Sequence, residues 1–387
     1  MTEWSGIHQF EYRWQPTKDL SLIAGSLPAA AIQPWADRIG LWIRHHAVKA
    51  PTESVRYEIF NGGMAALAWR QRYPNAIGYG DRPEASRVLL GPVQLLTPEV
   101  AIGVCHAGLP EAIATHSGRD SLSPIDPDKL NRLARARADE FDQLAANEAG
   151  LARVIAAALT DRDAPLSVQL PQHVIARPPQ AGAQGPLLWG LRRTVWPLLG
   201  RDSGRRGWSF STYEPPLGDL DTGALADIVF RTYQAVQPGL STRREVLVRP
   251  HEPIEPSAAV TYQGFATLLV DAYRYLGGEE LSRQLDAVGA EYPSADKRIE
   301  GMQTMLWAAL PAAALSAPSP QYMPIAESML SERLDGPPSD ADLAPVENRV
   351  SGKEVGTSAT SGGRRFGRRL GRGGAGRGRL GRSRESY

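Results

Sequence analysis

Trp208-Ser209-Phe210-Ser211-Thr212-Tyr213-Glu214 is the stretch on which the fold turns. On an extended chain Trp208, Phe210 and Thr212 fall on one face and Ser209, Ser211 and Tyr213 on the other. That pattern predicts a buried strand. An apolar helical block, Leu187 to Leu199, precedes it, and a second strand-like run, Asp227-Ile228-Val229-Phe230-Arg231-Thr232-Tyr233, follows. Helix, strand and strand in this order predict the middle of an α/β or α+β body with a mixed sheet.

The same stretch half matches a nucleophile elbow. In that motif glycines flank a serine because the strained turn leaves no room for side chains. Here Gly207-Trp208-Ser209-Phe210-Ser211 has Ser211 where the second glycine belongs, and the run continues as strand. The reading is structural rather than catalytic.

Working outward toward the N-terminus, Leu166 to Ile175 is a strand candidate interrupted by Pro171, and Pro178 to Pro186 is a loop. Asp126-Pro127 reads as a helix start, an N-cap acid followed by proline at the first helical position. The apolar residues Leu130, Leu133, Ala134, Phe141, Leu144 and Ala145 then share a stripe that runs on past Gly150 to Leu159. Acids recur between Asp120 and Asp163, among them Asp139, Glu140 and Asp142, and read as its solvated face.

Further back, His8 to Trp14 alternates as a first strand. Leu22 to Ala31 is small and apolar with Pro28 inside it. Pro34 is expected in the first turn of a helix carrying Trp35, Ile39, Trp42 and Ile43. Val55 to Phe60, Asn61-Gly62-Gly63 and Met64 to Arg70 form a hairpin, in which Asn-Gly supplies positive φ angles. Arg87 to Leu90 and Val100 to Cys105 are expected as strands.

On the C-terminal side, Arg249 to Pro256 reads as an extended linker with three prolines. Helical spacing follows over Ser257–Leu276, Glu279–Ala290, Ser294–Leu315 and Pro324–Leu334, with Gly277-Gly278 ending the first of these. This is a small helical domain or a helical cap on the α/β part. The organisation expected is an α+β region over 1–165, an α/β region around strand 208–214 over 166–250, a helical region over 257–334, and a disordered segment over 335–387.

Composition fits a globular body: 387 residues, 42% of them apolar. A single cysteine, Cys105, excludes an intrachain disulfide and favours the cytoplasm. Met1 to Gly6 lacks the basic start of a secretory leader. The most apolar window, Leu306 to Ala317, contains Pro311 and is about half of the roughly 20 residues a spanning helix needs.

Charge is unevenly distributed. From Gly362 onward nine arginines stand against one acid, Glu385, so this segment carries +8, and the formal +1 of the whole chain leaves −7 on the rest. Arg364, Arg365, Arg368, Arg369, Arg372, Arg377, Arg379, Arg382 and Arg384 lie among glycines with little to bury, which predicts disorder. Guanidiniums on such a backbone favour phosphate and release counterions, so nucleic acid or another polyanion is the partner class, unless the segment folds back on the acidic body. With Phe366 and Tyr387 as its only aromatics, it offers little base stacking.

Other chemistries find less support. A phosphate loop needs Gly-Lys followed by a hydroxyl residue, whereas Gly352-Lys353 is followed by Glu354. His45 and His46 are adjacent and would point about 100° apart on a helix. Cys105 and His106 would face opposite sides of a strand, which makes them a poor thiolate–imidazole pair. No metal or cofactor is expected. Arg201, Arg205 and Arg206 lie in the glycine-rich run 200–207 and are the candidate anion cradle.

His8-Gln9-Phe10-Glu11-Tyr12-Arg13-Trp14 with Ala24-Gly25-Ser26-Leu27-Pro28, together with Leu187-Leu188-Trp189 and Trp208 to Glu214, resembles an actinobacterial family of GTPase-associated proteins. Its members sit beside separate GTPase genes in bacterial conflict or defence systems. The resemblance covers roughly residues 8 to 235 and implies an adaptor, with the nucleotide chemistry in another protein. Three functions stand at this point: a non-enzymatic adaptor that docks a protein, possible partner a GTPase; a nucleic-acid-associated protein acting through its tail; and an enzyme of unrecognised family using a dispersed site, with Cys105 and His106 the first residues to test.

Overall fold

The structure is a computed structural model that describes residues 6–15, 19–43, 51–72, 84–107, 122–177, 179, 182–199, 208–214, 226–232, 246–251 and 262–316. The chain divides into two units, Met1–Leu330 and Ser331–Tyr387, the second wholly outside the described residues. Every described strand and helix belongs to the first unit.

Among the described residues nine strands form one mixed sheet with helices. In chain order they are β1 (His8–Gln15), β2 (Asp19–Gly25), β3 (Glu53–Phe60), β4 (Met64–Arg72), β5 (Glu84–Pro92), β6 (Leu166–Leu170), β7 (Phe210–Ser211), β8 (Ile228–Thr232) and β9 (Val246–Val248). Across the sheet the order is β2-β1-β5-β4-β3-β7-β8-β6-β9. The first five strands pair antiparallel, and β7, β8, β6 and β9 pair parallel.

The junction is β7. It runs antiparallel to β3, with Arg56 opposite Ser211, and parallel to β8, with Phe210 opposite Ile228. Of the expected strand over Trp208–Glu214 only these two residues enter the ladder. Its start is bent by Trp208, whose φ of +62° is unusual for a bulky residue. Buried, Trp208 packs edge-on against Trp196 at 5.4 Å.

Side-chain alternation sorts the two faces. Val55, Tyr57, Leu67, Trp69, Leu89, Leu166, Val168, Ile228 and Phe230 point into the main core. Phe10, Tyr12, Phe60, Ala66, Ala68, Val88 and Leu90 point the other way, under helix α1 (Ala29–Ile43). The β3–β4 hairpin closes as expected, but through a three-residue loop in which Gly62 (+94°) and Gly63 (+75°) carry the positive φ angles.

Three expectations are corrected. The loop read over Pro178 to Pro186 is helical from Gln184 onward. The helix α1 begins at Ala29, directly after Pro28, so Pro34 lies inside it rather than in its first turn. Val100 to Cys105 is helical, within α2 (Pro98–Ala107). Thr97 caps it, its Oγ1 accepting from the Val100 amide at 3.2 Å, and Pro98 takes the first helical position. Because Val100, Ala101, Ile102, Val104 and Cys105 are all buried, the segment shows no polar face to reveal its period.

Helix α3 (Pro127–Arg135) starts as read, Asp126 Oδ1 accepting from the Asp128 amide at 3.0 Å. The stripe then breaks twice, giving α4 (Ala138–Asn147) and α5 (Leu151–Thr160). Pro171 ends β6 and leads into the short α6 (Gln172–Ile175), followed by the long α7 (Gln184–Leu199). Most of the linker expected over Arg249 to Pro256 lies outside the described residues. The helices that follow are α8 (Gln263–Leu276), α9 (Gly278–Glu291) and α10 (Ala295–Ala309).

These last three helices complete the main core. Phe265, Leu269, Leu281, Leu285, Met302 and Leu306 belong to the same apolar cluster as the sheet. Helix α8 packs on α4 and α5, and α9 and α10 pack on α7. Arg298 fixes that contact from inside, donating to the carbonyls of Leu198, Leu199, Tyr292 and Pro293.

Candidate functional site

A cleft of about 770 Å³ opens where α4 meets the corner between α8 and α9. The wall from α4 is Asp139, Asp142, Gln143, Ala146 and Asn147; the corner contributes Tyr273 to Gly278, and α9 adds Glu279, Glu280 and Arg283. The volume lies within the ordinary range for ligand sites, about 300–1,000 Å³.

Asp142 forms the inner wall. Buried, it accepts from Trp189 Nε1 at 2.5 Å, from Tyr273 Oη at 2.6 Å and from Arg193 Nε at 3.1 Å. A fourth contact joins Arg193 Nη2 to the other carboxylate oxygen at 3.4 Å. Arg193 also lies 4.9 Å over the Trp189 ring. One carboxylate thereby ties α4 to α7 and α8. Burial, with the carboxylate beside it, pushes the Tyr273 hydroxyl well above its ordinary pKa, so it stays protonated as a donor.

The α8–α9 corner approaches this carboxylate closely. Gly277 ends α8 with φ +80°, and Gly278 opens α9 so near Asp142 that a β-carbon there would collide with both oxygens. Backbone amides at the start of a helix favour negative charge, which suits a carboxylate in this place.

Nearer the mouth, Glu280 takes a paired contact from Arg283 and another from Gln284 Nε2 at 2.7 Å. Arg274 is held by the Ala146 carbonyl at 2.8 Å and reaches Asp271 at 3.4 Å. Asp139 and Glu279 are exposed, and Tyr275 is 57% exposed.

A second polar cluster occupies the middle of the sheet, on the face opposite the main core. Arg56 Nη1 donates to Glu214 at 3.1 Å and Nη2 to Glu58 at 3.3 Å. Arg70 Nη2 donates to the Tyr213 carbonyl at 2.7 Å and to Ser211 Oγ at 3.3 Å. Gln169 stands opposite Arg231 in the ladder and accepts from Arg249 Nε at 3.0 Å. Burial raises the Glu214 pKa, but Arg56, Arg70, the Ser211 hydroxyl and Arg231 outweigh it and hold the group below its ordinary value. Glu214, Arg231, Gln169 and Arg249 lie toward the carboxyl ends of the parallel strands, where open α/β sheets place their ligands.

The half-matched elbow is structural. Ser209 Oγ bonds Asp227 Oδ2 at 2.9 Å and accepts from the Asp227 amide at 2.9 Å, tying β7 to β8 at their amino ends. Cys105 lies on α2 rather than on a strand, and burial pushes its thiol well above the ordinary range. Arg201, Arg205, Arg206, His45, His46 and all nine tail arginines lie outside the described residues. Among the described residues no group of three or more His, Cys, Asp or Glu is placed to hold a metal ion, and no helix is long and apolar enough to cross a membrane.

Sequence reasoning missed both clusters. The solvated-face reading of the acids holds for Asp139 and Glu140 but fails for Asp142, which adjoins Phe141 on the buried side of α4. On β3 the signal was present: Arg56 and Glu58 alternate with Val55, Tyr57 and Ile59, placing charge on one face of a strand covered on both sides. No protein-family model matches the chain, and no curated protein matches its sequence.

Proposed function

We propose that this protein is a non-enzymatic adaptor of the cytoplasm whose helical layer docks a protein partner. The observation that carries the reading is the cleft between α4 and the α8–α9 corner. Its inner wall is rigid, because Asp142 is held by donors from two other helices, while its outer wall presents exposed acids and an exposed tyrosine. A fixed floor under exposed side chains suits recognition, since little ordering entropy is lost on binding.

The resemblance to GTPase-associated proteins supports a GTPase as the partner, with nucleotide hydrolysis carried out by that protein. The test is affinity capture from the source cell at near-physiological salt, with nuclease treatment of half the sample and mass spectrometry of what stays bound. A specific protein that survives nuclease supports the adaptor. Its absence overturns the reading.

A second reading rests on the nine arginines between Arg364 and Arg384. In it the tail attaches the protein to nucleic acid through phosphate contacts with little sequence preference. Captured material that is mostly nucleic acid, with proteins lost on nuclease treatment, favours this reading.

A further inference from the structure

The face of the sheet opposite the main core collects guanidiniums and hydroxyls from β3, β4, β6, β7 and β8. We propose that it is a binding site for a small molecule bearing an oxyanion, a phosphate or a carboxylate, held over the carboxyl ends of the parallel strands. The site goes beyond the docking reading and shares no residue with the cleft on α4.

Strand register places the groups. Arg56 stands opposite Ser211 on β7, Ser211 opposite Val229 on β8, and Val229 opposite Ser167 on β6. Two residues along, Ser54 stands opposite Arg70, and Arg231 opposite Gln169, which accepts from Arg249. Residues two apart on a strand share a face, so these side chains lie on one side of the sheet. They gather where the parallel half meets the antiparallel half, toward the strand ends at which open α/β sheets bind ligands.

The chemistry of the face favours an anion. Against Arg56, Arg70, Arg231 and Arg249 the described residues of the cluster set the carboxylates Glu58 and Glu214. Arg56, Arg70 and Arg231 are buried, and they converge: burial raises the Glu214 pKa, and the charges of all three lower it. Every one of these arginines is engaged within the fold. A guanidinium carries five N–H donors in a planar fork, which matches the paired oxygens of a carboxylate or phosphate in addition to a protein partner.

Two hydroxyls on this face point to the ligand independently of charge. Ser54 and Ser167 are both 0% exposed, and among the described residues neither Oγ has a hydrogen-bond partner. Buried hydroxyls are nearly always paired, and an oxyanion accepts from a hydroxyl as readily as from a guanidinium. Access comes from the β9 edge. Leu247 stands beside Ser167 in the ladder and is 44% exposed, so the same face meets solvent there.

The experiment follows thermal unfolding of the full chain with rising inorganic phosphate in one arm and succinate in another, chloride at matched ionic strength serving as reference. Excluded anions raise the melting temperature of any protein without saturating. Binding should instead give a rise above chloride that saturates, and the arm that saturates identifies the oxyanion.

Ser54→Ala and Ser167→Ala decide the outcome. An unpaired buried hydroxyl is destabilising, so without added anion each variant should melt at or above wild type. Anion affinity should fall about tenfold in each, the scale of a hydrogen bond to a charged group. A purely structural role predicts the reverse, a lower melting temperature and an unchanged anion response. Arg231→Lys, which keeps the charge but loses the fork, should also weaken binding, and the serine variants suffice where it does not fold. The tail arginines are present in every variant, so anion bound to them contributes equally throughout. No saturating response in either arm, or a response equal in wild type and both serine variants, overturns the proposal. Capture of a protein partner from the cell bears on the docking reading alone.

Discussion

Tyr273 donates its hydroxyl hydrogen to Asp142 Oδ1 across 2.6 Å, joining two helices from residues 131 positions apart. The bond fixes α8 against α4, and Trp189 brings α7 to the same oxygen. Three helices therefore depend on one buried carboxylate.

Asp142→Ala should destabilise the protein by about 3–5 kcal/mol, because Arg193, Trp189 and Tyr273 would lose their shared acceptor. Asp142→Asn keeps an oxygen but loses the charge, and should cost about 1.5–3 kcal/mol. Denaturant unfolding measures both. A loss for the alanine variant within about 0.5 kcal/mol, the scale of ordinary surface changes, would make Asp142 a bystander.

Glycines of α9 should respond with opposite sign. Gly278→Ala forces a methyl onto the Asp142 carboxylate and should cost about 1–3 kcal/mol, the range of overpacking. Gly289 lies mid-helix, with its nearest neighbour, the Pro197 carbonyl, at 3.6 Å, so Gly289→Ala should stabilise by about 0.4–1 kcal/mol. Thermal melts of the two variants should move in opposite directions.

Glu214 gives a pH dependence. Its pKa in the folded protein lies below the ordinary 4.5, so its stabilising contribution is present above about that pH and fades as pH falls through the folded value. Glu214→Gln should be less stable than wild type at neutral pH. The gap should narrow steadily below pH 4.5. Urea midpoints across this range test it, and a gap that stays constant would contradict the assignment.

The Cys105 thiol should be inert in the native state. It is buried on α2 with its pKa raised, so little thiolate forms and no reagent reaches it. A chromogenic disulfide reagent should label it only after denaturant is added. Rapid labelling of the native protein would show that α2 opens readily.

Removal of residues 362–387 should abolish any binding to RNA or DNA, and for the full chain that binding should fall steeply as salt rises. Filter binding at several salt concentrations is sufficient. Affinity that survives truncation would place the nucleic-acid contact on the body instead.

Features set by neighbours along the chain were legible in the sequence. Asp126-Pro127 starts a helix because an acid and a proline satisfy its first amides locally, and Gly277 ends one because a positive φ excludes a β-carbon. The β3–β4 hairpin follows from alternation around Asn61-Gly62-Gly63. The same local logic misled at Val100 to Cys105, where burial on every side erases the helical period and Thr97-Pro98 was the remaining signal.

The sequence by itself determined a mixed α and β body and roughly where many of its elements begin, because backbone geometry imposes periods of 3.6 and 2 on neighbouring residues; whether the helices after Pro256 formed a domain of their own it left open. Only the tertiary structure decided that the two-residue β7 would join the antiparallel and parallel halves. Its partners on β3 come from far away: the Val55 amide meets Thr212 Oγ1 at 2.8 Å across 157 positions. Tertiary structure likewise decided that Asp142 is a buried tie while Asp139, three residues earlier, faces solvent. Three positions turn a helix by about 300°, and which side of that turn is covered depends on α7 and α8, which no local pattern on α4 records.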